Sequence, residues 1–275
     1  VEANPKLKGI VDLYREIFAA QRKMSSRIPD QLPHIQGGQV SYRVEQGQLL
    51  VKPGEIEIDL SILKEMMREL GRILSEKGER PVENMGIFLT EELEDEKRLK
   101  SLTEAFLARD EAELTGLMKD YSLDPALLYL LLHISVAPFM WKKAGPIARK
   151  ADLDQVPQGE CPVCGDLPVM GFLRSQDGLR VLECSLCGSR WGMPRMMCPF
   201  CKNMDQKKLK YLFSEGDSAH RVYICDRCGK YIKISAELGT DDEELVIPLE
   251  DLATAHLDQV AEERGYERGC RTAMS

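Results

Sequence analysis

Four Cys-x-x-Cys pairs fall between Cys161 and Cys228, and no other feature of the chain limits its fold and chemistry as strongly. The first two read Cys161-x2-Cys164, nineteen residues, then Cys184-x2-Cys187. The last two read Cys198-x2-Cys201, twenty-three residues, then Cys225-x2-Cys228. Each Cys-x-x-Cys turn aims two sulfurs at one point, and a hairpin between two turns brings the second pair opposite the first.

The intervening sequences supply those hairpins. Val169 to Arg174 and Leu179 to Glu183 flank Ser175-Gln176-Asp177-Gly178, where Asp-Gly signals a tight turn. Lys210 to Phe213 and Arg221 to Ile224 flank a turn containing Gly216-Asp217. Gly165, Gly188 and Gly229 follow the second cysteine of three knuckles, where a left-handed residue turns backbone amides toward sulfur. Lys202 holds that place in the fourth.

This pattern predicts two sequential sites, each with four cysteine ligands. The first takes Cys161, Cys164, Cys184 and Cys187; the second takes Cys198, Cys201, Cys225 and Cys228. The alternative partition joins the middle pairs, which only ten residues separate, into one site and leaves the outer pairs for the other. Four thiolates suit zinc or a rubredoxin-like single iron, one ion per site, and the sequence does not separate the two metals. A site closed by four protein ligands keeps no position for water, which argues against metal-assisted hydrolysis.

Nine cysteines would also suit a small disulfide framework, but eight of them stand in regular pairs. The N-terminal residues carry no apolar segment behind a basic start, and the apolar stretch Ala126 to Met140 contains His133, Ser135 and Pro138 and is short for a bilayer. The expectation is a cytoplasmic protein with reduced thiols and no membrane insertion. The ninth cysteine, Cys270, stands alone in a polar tail and reads as a free surface thiol.

The chain ahead of the cysteines reads as helical. Leu7, Ile10, Val11, Tyr14, Ile17 and Phe18 form one stripe, and Ile62, Met66, Leu70 and Ile73 form another behind Asp59 or Ser61 as cap. A loop with Pro29, Pro33 and Gly37-Gly38 separates them. Thr90 and the acidic turn Glu91-Glu92 suggest a helix start, followed by Leu99, Leu102 and Phe106. Leu114, Leu117 and Met118 mark a short helix, and Asp124-Pro125 opens an apolar one that Pro138 should kink or restart before Gly145-Pro146. Past the cysteines, 241–244 reads as a linker and Leu249, Leu252, Ala253 and Leu257 as a closing helix.

The fold class expected is therefore α+β: an all-α domain over 1–155, four-cysteine modules of the zinc-ribbon or rubredoxin-like kind over 156–195 and 196–238, and a linker with a C-terminal helix over 239–275. Only the cysteine region is formally basic, with 12 basic and 7 acidic residues over 161–236. Two metal–tetrathiolate sites, each formally minus two, bring it close to neutrality.

Little else suggests catalysis. His34, His133, His220 and His256 are scattered, and there is no Gly-rich phosphate loop or nucleophile elbow. Trp191, between Arg190 and the second module, reads as the hydrophobic core of a small metal module ahead of an exposed recognition residue.

Cys161-Pro-Val-Cys-Gly, Leu182-Glu-Cys-Ser-Leu-Cys-Gly-Ser-Arg-Trp191, Cys198-Pro-Phe-Cys and Cys225-Asp-Arg-Cys-Gly-Lys-Tyr-Ile-Lys233 together resemble the formate dehydrogenase accessory protein family, FdhE. The likeness extends to Leu123-Asp-Pro-Ala-Leu-Leu128, Val136-Ala-Pro-Phe139 and Leu249-Glu-Asp-Leu-Ala253. It implies a non-enzymatic cytoplasmic role in maturing the catalytic subunit of a molybdenum or tungsten formate dehydrogenase by direct binding. Where the family often has Glu-Trp-His, this chain has Arg190-Trp191-Gly192, so a function tied to that Glu or His does not transfer.

Two other classes compete. A zinc-ribbon nucleic-acid binder would place Lys202, Lys207, Lys208, Lys210 and Arg221 on phosphates, against which near-neutrality of the metallated region argues. A rubredoxin-like protein would exchange electrons with its partner at an iron tetrathiolate. The sequence carries no signal for oligomeric state.

Overall fold

The computed structural model describes residues 5–30, 40, 42–43, 46–77, 84–154, 158–236 and 246–270. They fall into two compact units, one drawn from 1–32 and 51–143, the other from 33–50 and 144–275. The expected loop with Pro33 and Gly37-Gly38 and the linker over 241–244 lie outside the described residues.

The first unit is helical. Its elements are α1 (Pro5–Ser25), a 3-10 turn (Pro53–Glu55), α2 (Leu60–Lys77), α3 (Met85–Glu94), α4 (Glu96–Ala108), α5 (Glu111–Asp120) and α6 (Pro125–Ala148), the last counted here up to Lys143. Aspartates set most of the starts. Asp59 accepts from the Ser61 and Ile62 amides, Asp95 from Lys97 and Arg98, Asp110 from Ala112 and Glu113, and Asp124 from Leu127. These carboxylates satisfy amides that the first turn of a helix leaves without partners. The apolar stripes behind them close the core, with Ile62, Met66, Leu70 and Ile73 all buried.

Two expectations fail here for local reasons. Thr90 does not start a helix; it lies inside α3, where its hydroxyl donates to Gly86 O at 2.8 Å, and the break comes at Asp95. An aspartate carboxylate offers two capping acceptors, whereas a threonine hydroxyl can bond back into its own helix.

Nor does Pro138 interrupt α6, which runs through it and through Gly145-Pro146 to Ala148. Pro138 has no N–H for the Ile134 carbonyl four residues earlier. Gln21 Nε2 of α1 donates to that carbonyl instead, at 2.7 Å. The resulting 24-residue helix is long and apolar enough by length and composition to cross a membrane, contrary to the expectation from the shorter stretch. Its most apolar window is 61% buried inside the protein, and Leu127, Leu128, Leu131, Leu132, Phe139 and Met140 lie in the core.

The second unit is a sheet with its covering helices. The strands are β1 (Pro168–Leu173), β2 (Arg180–Cys184), β3 (Arg190–Met193), β4 (Leu209–Ser214), β5 (Asp217–Cys225), β6 (Lys230–Ser235) and β7 (Glu267–Arg268). The order is β3-β2-β1-β6-β5-β4, with β7 beside β6. Both hairpins form where Asp177-Gly178 and Gly216-Asp217 place them, β1 with β2 and β4 with β5 in antiparallel register. The chain thus has the expected α+β architecture of helices, a sheet carrying the cysteines, and C-terminal helices.

The sequence did not show that both hairpins belong to one sheet. They join through a short parallel pairing, Gly171 with Ile234 and Phe172 with Ser235. The closing helix is two short ones, α7 (Ile247–Ala253) and α8 (Ala255–Glu262), broken at Thr254. Ile247 packs with Met170, Phe172 and Val181; Leu257 and Ala261 pack with Val222, Ile224 and Tyr231. α7 therefore covers the first hairpin and α8 the second.

Candidate metal centres

The four knuckles share one local conformation. In each, the residue after the second cysteine turns back to the first: Gly165 N to Cys161 O at 2.7 Å, Gly188 N to Cys184 O at 3.2 Å, Lys202 N to Cys198 O at 3.0 Å and Gly229 N to Cys225 O at 2.9 Å. All four residues have positive φ, Lys202 included at 57°. Lysine tolerates the left-handed region poorly, so the turn, rather than the residue type, is the common element.

The eight sulfurs gather as two tetrads, Cys161, Cys164, Cys184 and Cys187, and Cys198, Cys201, Cys225 and Cys228. Within each, all Sγ atoms lie within 4.8 Å of one another. This is the sequential grouping; the alternative that pooled the middle pairs does not occur. Cys161 and Cys187 sulfurs are 3.6 Å apart, Cys164 and Cys184 3.5 Å, Cys198 and Cys228 3.7 Å, Cys201 and Cys225 3.7 Å.

A tetrahedron of sulfurs about 2.3 Å from a zinc ion has edges of about 3.8 Å, and a disulfide would need about 2.05 Å. The separations fit the metal geometry, and each tetrad can hold one metal ion. Burial pushes the Cys161 and Cys184 thiols well above the ordinary thiol range, so gathering four thiolates there requires a cation's charge.

Neighbouring groups steady the sulfurs. Cys187 N donates to Cys184 Sγ at 3.4 Å, Ser189 Oγ lies 3.2 Å from Cys187 Sγ, and Asn203 Nδ2 donates to Cys225 Sγ at 3.7 Å. Such hydrogen bonds orient thiolate ligands and spread their charge. Leu50, far upstream, donates its amide to Pro162 O inside the first knuckle at 3.1 Å. Only the spacing of Ser189 and Asn203 just past a knuckle hinted at these roles; nothing local to Leu50 did.

Trp191 is fully buried on β3 and donates Nε1 to Gln158 O at 2.9 Å, which is the core role expected. Arg190 pairs across the strands with Glu183 at 2.7 Å. Cys270 is not a surface thiol: it is buried, and burial raises its pKa to about 11. The polar sequence around it gave no sign of this, because Arg268 beside it is drawn inside by Asp251 and Asp258. Among the described residues no histidine joins either tetrad. His220 lies between Asp217 and Glu250, 2.9 Å and 2.8 Å from their carboxylate oxygens.

The second hairpin is fastened to α7 and α8 by charges that a sequence scan misses. Lys233 is wholly buried, with Nζ 2.9 Å from Asp251 Oδ1 and 2.6 Å from Asp258 Oδ2. Arg268 joins the same two carboxylates, and the Tyr231 hydroxyl donates to Asp258 at 2.8 Å. Tyr231 and Lys233 come from the segment that begins at Cys225, and Asp251 from Leu249-Glu-Asp-Leu-Ala253, so two separate parts of the resemblance meet at one buried cluster.

A family model described as FdhE, central domain, matches residues 160–195, which hold the first tetrad. A protein named FdhE homolog from Pectobacterium atrosepticum is 28% identical over 249 residues, spanning 78% of this chain and 76% of that protein. Protein FdhE from Escherichia coli O9:H4 is 33% identical over 144 residues, 48% of this chain and 45% of that protein. The crystal structure of the FdhE protein from Pseudomonas aeruginosa matches this fold with a TM-score of 0.59 at 21% identity, covering 94% of this chain and 85% of that one.

Proposed function

This chain belongs to the FdhE family, and from that premise we propose that it is an accessory protein that binds the catalytic subunit of a molybdenum or tungsten formate dehydrogenase while that subunit matures in the cytoplasm. In this reading Cys161, Cys164, Cys184 and Cys187 ligate one metal ion, and Cys198, Cys201, Cys225 and Cys228 a second, each zinc or iron. The observation that carries it is the pair of closed sulfur tetrads built into a single sheet. A metal held by four thiolates has no open position for substrate, so its contribution is rigidity, and the chemistry is left to the partner.

The surface beside the second tetrad supports a binding role. Among the described residues β4 ends the strand order, a position from which a strand can add another chain, and Tyr211 and Phe213 are exposed upon it. Met196 and Met204 flank the third knuckle and are exposed too. Aromatic and methionine side chains of this kind are characteristic of interface cores.

Affinity capture with a tagged full chain from formate-respiring cells tests the reading. The catalytic subunit of a formate dehydrogenase should be recovered, and a Tyr211→Ser, Phe213→Ser double variant with unchanged metal content should lose most of it. Capture of no such subunit by the unaltered chain overturns the proposal.

A further inference from the structure

Three cations in the cysteine unit are almost fully buried: Lys233, Arg268 and Arg180. Lys233 and Arg268 share Asp251 and Asp258. Arg180, at the start of β2 and 1% exposed, pairs with no carboxylate among the described residues. Its Nη2 donates to the carbonyls of Pro194 at 2.7 Å and Met197 at 2.5 Å, and its buried Nε finds no hydrogen-bond partner. Two carbonyl dipoles do not balance a full positive charge, and a guanidinium does not escape by losing its proton. The Tyr223 ring, 5.8 Å from the guanidinium carbon, compensates only weakly.

The second tetrad lies where the missing negative charge is needed. Met197, whose carbonyl Arg180 holds, is the residue before Cys198. Arg180 also lines one cleft with Cys198 and Cys225. Four thiolates around one divalent ion carry a formal charge of minus two, and a buried cation beside them stabilises that anion. Water screens the buried Arg180 far less than it screens the exposed Lys210 on the same cleft. Glu183, next to Cys184 of the first tetrad, is already paired with Arg190 at 2.7 Å, so that pair adds no net charge there.

We propose that Arg180 is the counter-charge of the second metal centre, a cation from the first hairpin that stabilises the thiolates of Cys198, Cys201, Cys225 and Cys228 in their metal-ligating form. It touches no metal and acts through the sulfurs. The inference rests on the metal reading of the second tetrad given above. It makes the two cysteine modules interdependent, because the second centre draws part of its stability from β2 of the first.

The test is competition for zinc between the full chain, loaded at both centres, and a chromophoric chelator. Arg180→Gln keeps a side-chain donor for the two carbonyls but not the charge. In that variant one equivalent should be held at least about tenfold more weakly, with the other unchanged. Arg180→Lys keeps the charge and should stay within about threefold of the unaltered chain. In the Cys201→Ser, Cys228→Ser background, where only the first centre remains, Arg180→Gln should change nothing. If Arg180→Gln does not fold, the unaltered chain labelled isotopically at arginine carries the test. Its Arg180 Nε–H resonance should move on zinc loading and stay in place when the Cys201→Ser, Cys228→Ser variant is loaded.

Equal weakening by Arg180→Gln and Arg180→Lys overturns the proposal, since it leaves Arg180 as a clamp on Pro194 and Met197. Unaltered affinity at both centres in Arg180→Gln, or a resonance indifferent to zinc, overturns it too. An unaltered chain that binds zinc only at the first tetrad removes the metal reading of the second and the inference with it. The number of equivalents held by the unaltered chain separates that failure from a failure of Arg180 alone.

Discussion

Gly171 pairs with Ile234 in parallel register across the seam between β1 and β6, and that pairing makes one sheet of two cysteine hairpins that the sequence presents as separate. Position 171 tolerates no side chain, and the obstacle lies mainly on the β2 side of β1. A Cβ there would lie 2.5 Å from the Val181 main-chain oxygen, 2.9 Å from Leu182 Cδ2 and 3.0 Å from Ile234 Cδ1.

Gly171→Ala should therefore cost about 1–3 kcal/mol, since the nearest obstacle is backbone and cannot rotate away. Urea denaturation of the metal-loaded chain measures it. Metal content should stay at the unaltered level, because no ligand is touched. An unchanged midpoint would mean that the β1–β2 backbone gives way to the added methyl without cost.

Gln21→Leu should destabilise the helical unit by about 1–3 kcal/mol, by leaving the Ile134 carbonyl buried and unsatisfied. Pro138→Ala restores an intrahelical donor to the same carbonyl. In a double-mutant cycle followed by thermal denaturation, Pro138→Ala should recover much of the loss caused by Gln21→Leu. Strict additivity of the two changes would remove Gln21 as the reason α6 continues through its proline.

Lys233→Met should be the most damaging single change outside the cysteines. It leaves Asp251 and Asp258 buried with Arg268 as their remaining cation, a loss of about 3–5 kcal/mol. Equilibrium unfolding at neutral pH gives the value. A loss below about 1 kcal/mol would show that the cluster opens to water.

What the sequence discloses and what it conceals follow from how local each signal is. A Cys-x-x-Cys knuckle is specified within five residues, so the tetrads and their hairpins are legible in the residues themselves. The aspartate caps are equally local, and Asp59 and Asp124 stand out, although the Thr90-Glu91-Glu92 run masks Asp95. The β1–β6 seam joins Gly171 to Ile234 without any motif marking either one. Nothing in the sequence around Lys233 marks it as buried, because its partners, Asp251 and Asp258, lie on helices beyond a stretch of unrelated sequence. The continuation of α6 through Pro138 depends on a glutamine more than a hundred positions earlier. Cys270 follows the same rule, its burial determined by the partners of Arg268.

Metal content is the most direct measure of the central claim, that the eight paired cysteines are two separate closed centres. Elemental analysis of chain purified anaerobically should give two equivalents of zinc or iron in total. The Cys164→Ser, Cys187→Ser variant should retain one equivalent, as should Cys201→Ser, Cys228→Ser, with metal–sulfur coordination near four by X-ray absorption in each. Fewer than one equivalent in the unaltered chain, or loss of both metals from either variant while the chain remains folded, would contradict the account.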